Sequence, residues 1–168
     1  MFGLTLDQLV DGHQSEYAHR HRSDDQHAGE HDPEHGKEST GRRTSIAGMA
    51  TTLVVKVTVG LDAPERCSQA FTVAATALAS GAKVSLWLTG ESAWFALPGR
   101  AAEFDLPHAA PLPGLLDALL TAGQVTLCTQ CAARRDIGPD DVITGIRIAG
   151  AASFVEEALA DGAQALVY

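Results

Sequence analysis

Thr52-Leu-Val-Val-Lys-Val-Thr-Val59, followed by Gly60 and then by Asp62-Ala-Pro-Glu65, decides the fold class of this chain. The first eight residues are mostly β-branched or apolar, and this pattern predicts a buried strand that ends at Gly60. The second segment predicts a helix start, because an aspartate is a preferred N-cap residue and the proline fits the first turn. A buried strand that leads into a capped helix is typical of α/β proteins.

Strand and helix patterns alternate from this point to the C-terminus. The first helix is predicted to end near Ser80, and the last to turn Phe154, Val155 and Leu159 inward. Further strands are predicted at 83–88, 124–127, 143–148 and 164–168, the third of these interrupted by Gly145. Helices are predicted at 90–95, 113–122, 131–135 and 151–160. Five strands separated by helices indicate a three-layer α/β/α sandwich with a mostly parallel five-stranded sheet. Ligands of such sheets bind beyond the carboxyl ends of the strands.

Composition excludes several classes of protein. The chain has 168 residues and a formal net charge of −9, which argues against a nucleic-acid partner. The sequence contains no run of about 18 apolar residues, so no membrane segment is predicted. Residues 1–10 lack the pattern of a secretory signal. Three cysteines are too few for a disulfide framework, so we expect a reducing, cytoplasmic setting in which the thiols stay available.

Residues 1–48 differ from the rest of the chain. They contain nine acidic residues, five basic residues and six of the seven histidines: His13, His19, His21, His27, His31 and His35. Because apolar residues are sparse, we expect a disordered, His-rich acidic tail, with the folded domain at 49–168. The spacing His19-x-His21 leaves loose binding of a transition metal as an alternative role. Met49 is an alternative start of the protein.

Cys128-Thr-Gln-Cys131, followed by Ala-Ala-Arg134-Arg135, is the stretch best suited to chemistry. It places Cys128 at the carboxyl end of the third strand and beside the start of a helix. Helix amides and two guanidinium groups favour a thiolate over a thiol. Cys128 is therefore the predicted nucleophile. Cys131, one helical turn away, is predicted to resolve a persulfide on Cys128 or to form a disulfide with it.

Three other interpretations of the cysteine pair are a packing role, a structural zinc site and a thioredoxin-like motif. The pair could be structural, since cysteine is often a packing residue, as is expected for Cys67. A structural zinc site usually needs four ligands, and the folded domain adds only Cys67 and His108, without ligand spacing, so no metal site is predicted there. In thioredoxin-like proteins the motif follows an early strand, whereas here it follows the third.

The segment 125–135, together with Val54, Lys56 and Val57 on the first strand and 63–67 after it, resembles DsrE/DsrF-like proteins of the sulfur-relay type. The resemblance covers residues 50–168 and implies the same α/β sandwich. It matches Cys128 to the sulfur-carrying cysteine and Arg134 and Arg135 to the basic pair of the family. Asp136 stands where the family usually has glycine, and Cys131 is an addition to its single-cysteine pattern.

The resemblance gives the expected function. We expect a cytoplasmic sulfur-handling protein that carries or transfers sulfane sulfur as a persulfide on Cys128, without a cofactor. Its partner would be a protein that donates or accepts sulfur, and the resemblance implies a homo-oligomer, a trimer or a hexamer. Whether it acts as a sulfurtransferase or only as a carrier is left open. The alternatives are a non-catalytic oligomeric module and a dithiol redox protein that uses Cys128 and Cys131.

Overall fold

Strands and helices alternate through residues 51–168, the range that the computed structural model describes. The predicted tail and its histidines lie outside the described residues. The elements are β1 (Thr52–Val57), α1 (Pro64–Ala79), β2 (Lys83–Leu88), a 3₁₀ helix (Gly90–Ala96), a second 3₁₀ helix (Arg100–Glu103), α2 (Leu112–Ala122), β3 (Gln124–Cys128), α3 (Thr129–Ala133), β4 (Ile146–Ala149), α4 (Ala151–Ala158) and β5 (Ala163–Val167). The predicted α/β class is confirmed.

The five strands form one sheet in the order β4-β3-β2-β1-β5. Every neighbouring pair is parallel, so the sheet is wholly parallel, within the prediction of a mostly parallel one. The carboxyl ends of β1, β2 and β3 consequently meet at one edge. Cys128 is the last residue of β3 and lies at this edge, as the sequence predicts.

The two faces of the sheet have different chemistry, because successive side chains of a strand point to opposite faces. One face carries Val55, Leu86 and Leu127, and packs with Phe71 of α1 and Leu119 of α2 in the hydrophobic core. The opposite face carries polar or amphipathic side chains: Lys56, Ser85, Trp87, Thr126 and Arg147. We call this second surface the polar face.

Helix α4 covers part of the polar face, and the predicted packing of this helix is partly wrong. Phe154 does lie against the ring of Trp87, with ring centroids 5.4 Å apart. Val155 and Leu159, in contrast, are 49% and 79% exposed. The physical reason is that α4 faces a polar surface, and Glu157 takes the inward position by bonding to polar groups of the sheet.

Helix α1 begins differently from the prediction. Ala63, not Asp62, is its N-cap residue, and no side chain caps the helix. The carboxylate of Asp62 instead accepts a hydrogen bond of 2.7 Å from the backbone N–H of Gly60 and braces the turn after β1. A second difference is β4, which begins only at Ile146, since Gly145 has a φ of 98° that interrupts an extended strand.

Candidate functional site: the thiol pair at the carboxyl edge of the sheet

Cys128 ends β3 and is the N-cap residue of α3. Its backbone is extended, so that the chain turns into α3 directly after the thiol. The side chain is half-buried, whereas Cys131, inside α3, is buried. Cys128, Cys131 and Cys67 are all free thiols. The structure therefore offers one accessible sulfur with a second, shielded sulfur beside it.

The pKa of Cys128 lies below the ordinary value of a cysteine. Burial by itself would raise this pKa, but it is outweighed by hydrogen bonds to the sulfur from the backbone N–H and the thiol of Cys131 and from the N–H of Gln130. The positive charge of Lys56 adds to the lowering. Each of these interactions stabilises the charged form, so the thiolate of Cys128 is favoured.

The pKa of Cys131 is shifted in the opposite direction. Burial raises it most, the backbone N–H of Gly90 opposes this, and the hydrogen bond to Cys128 and the charge of Cys128 raise it further. Arg135 acts to lower it. Cys131 is thus the thiol that donates its proton toward the Cys128 thiolate.

The two guanidinium groups after the motif lie in different surroundings. Arg135 donates a hydrogen bond of 2.6 Å to the carboxylate of Glu91, and its guanidinium lies 5.6 Å from the centre of the Trp94 ring. It also donates to the backbone carbonyl of Cys131, at 3.3 Å. Arg134 is exposed, and its side chain makes no hydrogen bond or ion pair within residues 51–168. The structure thus brings Arg135 to Cys131 and leaves Arg134 at the surface.

Sequence reasoning assigned no role to Lys56, although a lysine inside an apolar strand is a recognisable signal. Lys56 lies on the polar face, and its Nζ atom is 4.8 Å from the centre of the Phe154 ring. Burial of Cys128 raises the pKa of its thiol. Among the cations of the described range, Lys56 is the one whose charge lowers this pKa.

Glu157 organises the rest of the polar face. Its carboxylate accepts hydrogen bonds from Ser85, at 2.6 Å, and from the indole N–H of Trp87, at 2.9 Å, and it pairs with Arg147. Burial would raise the pKa of Glu157, but these three partners outweigh burial and lower it. The carboxylate is therefore fully engaged in holding α4 on the sheet.

Cys67 stays apart from the thiol pair. It is buried inside α1, as expected for a packing residue, and burial together with Asp62 raises the pKa of its thiol to about 12. In residues 51–168, no group of three or more His, Cys, Asp or Glu side chains is placed to hold a metal ion. The arrangement of Cys128 and Cys131 suits the chemistry of a nucleophilic thiolate with a neighbouring thiol.

The chain belongs to the DsrE/DsrF-like family. The family model matches residues 52–168, which include the whole sheet and both cysteines of the pair. No curated protein has a sequence that matches this chain.

Two solved structures share the fold. The YchN protein from E. coli has 18% sequence identity and a TM-score of 0.56, over 71% of this chain and 100% of that protein. MTH1491, a protein of unknown function from Methanobacterium thermoautotrophicum, has 8% identity and a TM-score of 0.51, over 70% of this chain and 99% of that protein. These likenesses confirm the α/β architecture.

None of the helices within residues 51–168 is long and apolar enough to cross a membrane.

Proposed function

We propose that this protein carries sulfane sulfur as a persulfide on Cys128. The observation that carries the proposal is the state of this thiol: burial would raise its pKa, yet three hydrogen bonds to its sulfur and the charge of Lys56 lower it. The sulfur is also half-exposed at the edge of the sheet where ligands of parallel α/β proteins bind. Membership of a family associated with sulfur relay supports the same function.

Loading is a thiol exchange on sulfur. The Cys128 thiolate attacks the outer sulfur of a donor persulfide, R–S–SH, and a new S–S bond forms while the S–S bond of the donor breaks. The donor leaves as R–S⁻ with the electron pair of the broken bond, and the proton stays with the transferred sulfur. Cys128 becomes Cys–S–SH. No external oxidant or reductant is needed.

Release can follow two routes. A thiolate of an acceptor protein can attack the outer sulfur and regenerate the Cys128 thiolate. Alternatively, deprotonated Cys131 attacks the inner sulfur, forms a disulfide with Cys128 and expels HS⁻. Because the pKa of Cys131 is raised, by burial most of all, the second route is held back at neutral pH, and transfer to an acceptor is favoured. We therefore propose that Cys131 resolves the persulfide only as the slower of the two routes.

The surroundings of α3 suit an anionic donor. Arg134 is exposed beside the thiol pair, and Arg135 is fixed by Glu91 one helical turn beyond Cys131. We propose that both attract the donor, which would be the exposed persulfide of a partner protein. The same reaction with a small-molecule acceptor would make the protein a sulfurtransferase. A reducing, cytoplasmic setting suits both activities, since it keeps the thiols free.

Intact-mass measurement after incubation with an inorganic polysulfide tests the proposal. The wild-type protein is expected to gain about 32 Da per sulfur, and dithiothreitol should remove the gain. Cys128→Ser should gain nothing, whereas Cys67→Ser, the matched control, should load like the wild type. Equal loading of Cys128→Ser and wild type would show that Cys128 is not the carrier.

Dithiol redox chemistry is the second candidate, favoured by the two thiols lying one helical turn apart, at the N-cap and inside α3. It predicts a reversible disulfide between Cys128 and Cys131 that has a measurable reduction potential. This disulfide should form even when no sulfur donor is present. Titration in glutathione buffers distinguishes it from carriage: glutathione disulfide takes up two electrons and two protons, and the protein loses two hydrogen atoms, about 2 Da of mass. A disulfide that forms at glutathione potentials without donor would favour redox cycling over sulfur carriage.

A non-catalytic oligomeric module is the third candidate. Exposed apolar side chains on α4, directly after it and on β5 favour self-association, and they are Val155, Leu159, Leu166 and Val167. We propose that carriage and self-association, as a trimer or hexamer, occur in the same protein. A Cys128 thiol that alkylates as slowly as an ordinary cysteine, with a pKa of about 8.5, would favour a purely structural module.

A further inference from the structure

Lys56 shares the polar face with Cys128. In the register of the sheet, Lys56 on β1 pairs with Trp87 on β2, and Trp87 pairs with Thr126 on β3. Cys128 follows Thr126 by two residues and therefore points to the same face. This places the ammonium-bearing side chain and the thiol on one surface, near the carboxyl edge of the sheet.

The separation of the two residues suits an electrostatic contact. Two strand spacings and two residue steps separate their Cα atoms, about 12 Å in an ideal sheet. The flexible four-carbon stem of lysine covers a large part of this distance. Burial raises the pKa of Cys128, whereas Lys56 and the hydrogen bonds to the sulfur lower it. This effect of Lys56 agrees with its placement.

No carboxylate within residues 51–168 forms an ion pair with Lys56. Glu157, which α4 directs to the polar face, is already bonded to Ser85, Trp87 and Arg147. Arg147 is in turn neutralised by Glu157. The ammonium group of Lys56 instead lies over the ring of Phe154, with Nζ 4.8 Å from the ring centre. A partly desolvated cation without a carboxylate partner retains its full charge for an anion.

We propose that Lys56 is the cation that stabilises negative charge on the Cys128 sulfur. It thereby favours anionic sulfane-sulfur species as substrates of that site. Lys56 is a positioning residue in this role, since it acts through the Cys128 sulfur. The preference for anionic sulfur species rests on the proposed function, whereas the effect on the thiol does not require any sulfur donor.

Two alkylating reagents of different charge test the inference. Iodoacetate is an anion and iodoacetamide is neutral, and both react with the thiolate. The rate of each reagent at Cys128 is measured by peptide mass spectrometry in wild type, Lys56→Met and Lys56→Arg. Lys56→Met keeps an unbranched side chain of similar length at this position but removes the charge. Lys83→Met is the matched control, because Lys83 begins β2 at the opposite edge of the sheet and is exposed.

The expected result is a specific loss of the anion preference. The ratio of the iodoacetate rate to the iodoacetamide rate should fall about threefold or more in Lys56→Met, while Lys56→Arg keeps most of it and Lys83→Met all of it. The pH midpoint of the iodoacetamide reaction should also rise in Lys56→Met. An unchanged ratio and midpoint in a folded Lys56→Met protein would overturn the inference.

Two further measurements keep the result interpretable. If Lys56→Met does not fold, Lys56→Gln takes its place, because glutamine also removes the charge and suits a half-buried position; the ratio should fall in this variant as well. Sulfur loading is then measured separately in wild type and variant. A changed alkylation ratio in a protein that takes up no sulfur supports Lys56 and rejects the carrier function, whereas normal loading with an unchanged ratio rejects Lys56 alone.

Discussion

The backbone N–H of Gly90 donates a hydrogen bond to the Sγ atom of Cys131 over 3.2 Å. The two residues lie 41 positions apart in the sequence, and the bond joins the segment after β2 to α3. It holds the Cys131 sulfur in a fixed place, from which the thiol donates toward Cys128. The two cysteines of the motif are consequently unequal before any substrate arrives.

We predict that Gly90→Ala destabilises the protein by more than about 2 kcal/mol. Gly90 has a φ of 53°, and a Cβ atom there would lie 2.2 Å from the backbone oxygen of Thr58. Backbone must therefore shift, and the contact of the N–H with Cys131 would shift with it. Urea unfolding followed by circular dichroism measures the loss.

Gly99→Ala is the control for this substitution. Gly99 also has a positive φ, of 80°, but no atom lies within 4 Å of the added Cβ. Its cost should be that of the left-handed conformation alone, about 1–2 kcal/mol. Equal losses at the two glycines would show that the contact at Thr58 does not matter.

Cys131→Ala is predicted to slow the reaction of Cys128 at neutral pH. Burial raises the pKa of Cys128, and the Cys131 thiol is one of the hydrogen-bond donors that outweigh burial. Losing a bond worth about 0.5–1.5 kcal/mol corresponds to a fall of about two- to tenfold in the thiolate-dependent rate. Cys131→Ser keeps a donor and should react faster than Cys131→Ala. Alkylation of Cys128, followed from pH 5 to 10, gives both values.

Cys67 is predicted to stay unmodified in the native protein. Burial, with a further contribution from Asp62, raises the pKa of this thiol to about 12, and its side chain is inaccessible. Native protein treated with iodoacetamide at pH 8 should therefore label at Cys128 first and at Cys67 only after unfolding in urea. Rapid native labelling of Cys67 would show that α1 opens.

Glu157→Ala is predicted to cost about 1–3 kcal/mol of stability. The substitution removes the acceptor of the Trp87 indole N–H, and Trp87 is only 1% exposed. It also releases Ser85 and Arg147. Glu156→Ala, at the exposed neighbouring position of α4, should change stability by less than about 0.5 kcal/mol. Chemical denaturation of both variants gives the comparison.

The same carboxylate predicts a loss of stability in acid. Burial raises the pKa of Glu157, but Ser85, Trp87 and Arg147 lower it below its value in the unfolded chain. Its stabilisation is thus complete above the unfolded pKa, about 4.3, and is lost as pH falls through the folded pKa. The stability difference between wild type and Glu157→Gln should shrink over this range. A difference that is constant from pH 7 to pH 3 would contradict the assignment.

Much of the scaffold could be predicted from local patterns. The apolar run at 52–59 gave β1, and Lys83–Leu88 was predicted with its observed bounds. Patterns failed where a partner surface decides the outcome. Val155 and Leu159 match an inward helical stripe, but α4 faces polar side chains, and both stay exposed. The N-cap at Asp62 failed similarly, because its carboxylate bonds to Gly60 before the helix begins.

The sequence by itself determined the α/β class, the alternation of strands and helices, and the position of Cys128 at the carboxyl end of β3. These properties depend on side-chain periodicity and on residues adjacent in the chain. Only the tertiary structure decided which groups surround the thiol. The backbone N–H of Gly90, at the start of the first 3₁₀ helix, bonds to the Cys131 sulfur. Lys56 on β1 lies on the face of Cys128, and Glu91 holds Arg135 at Cys131. Strand register and burial set these contacts, because they join residues that no local pattern relates.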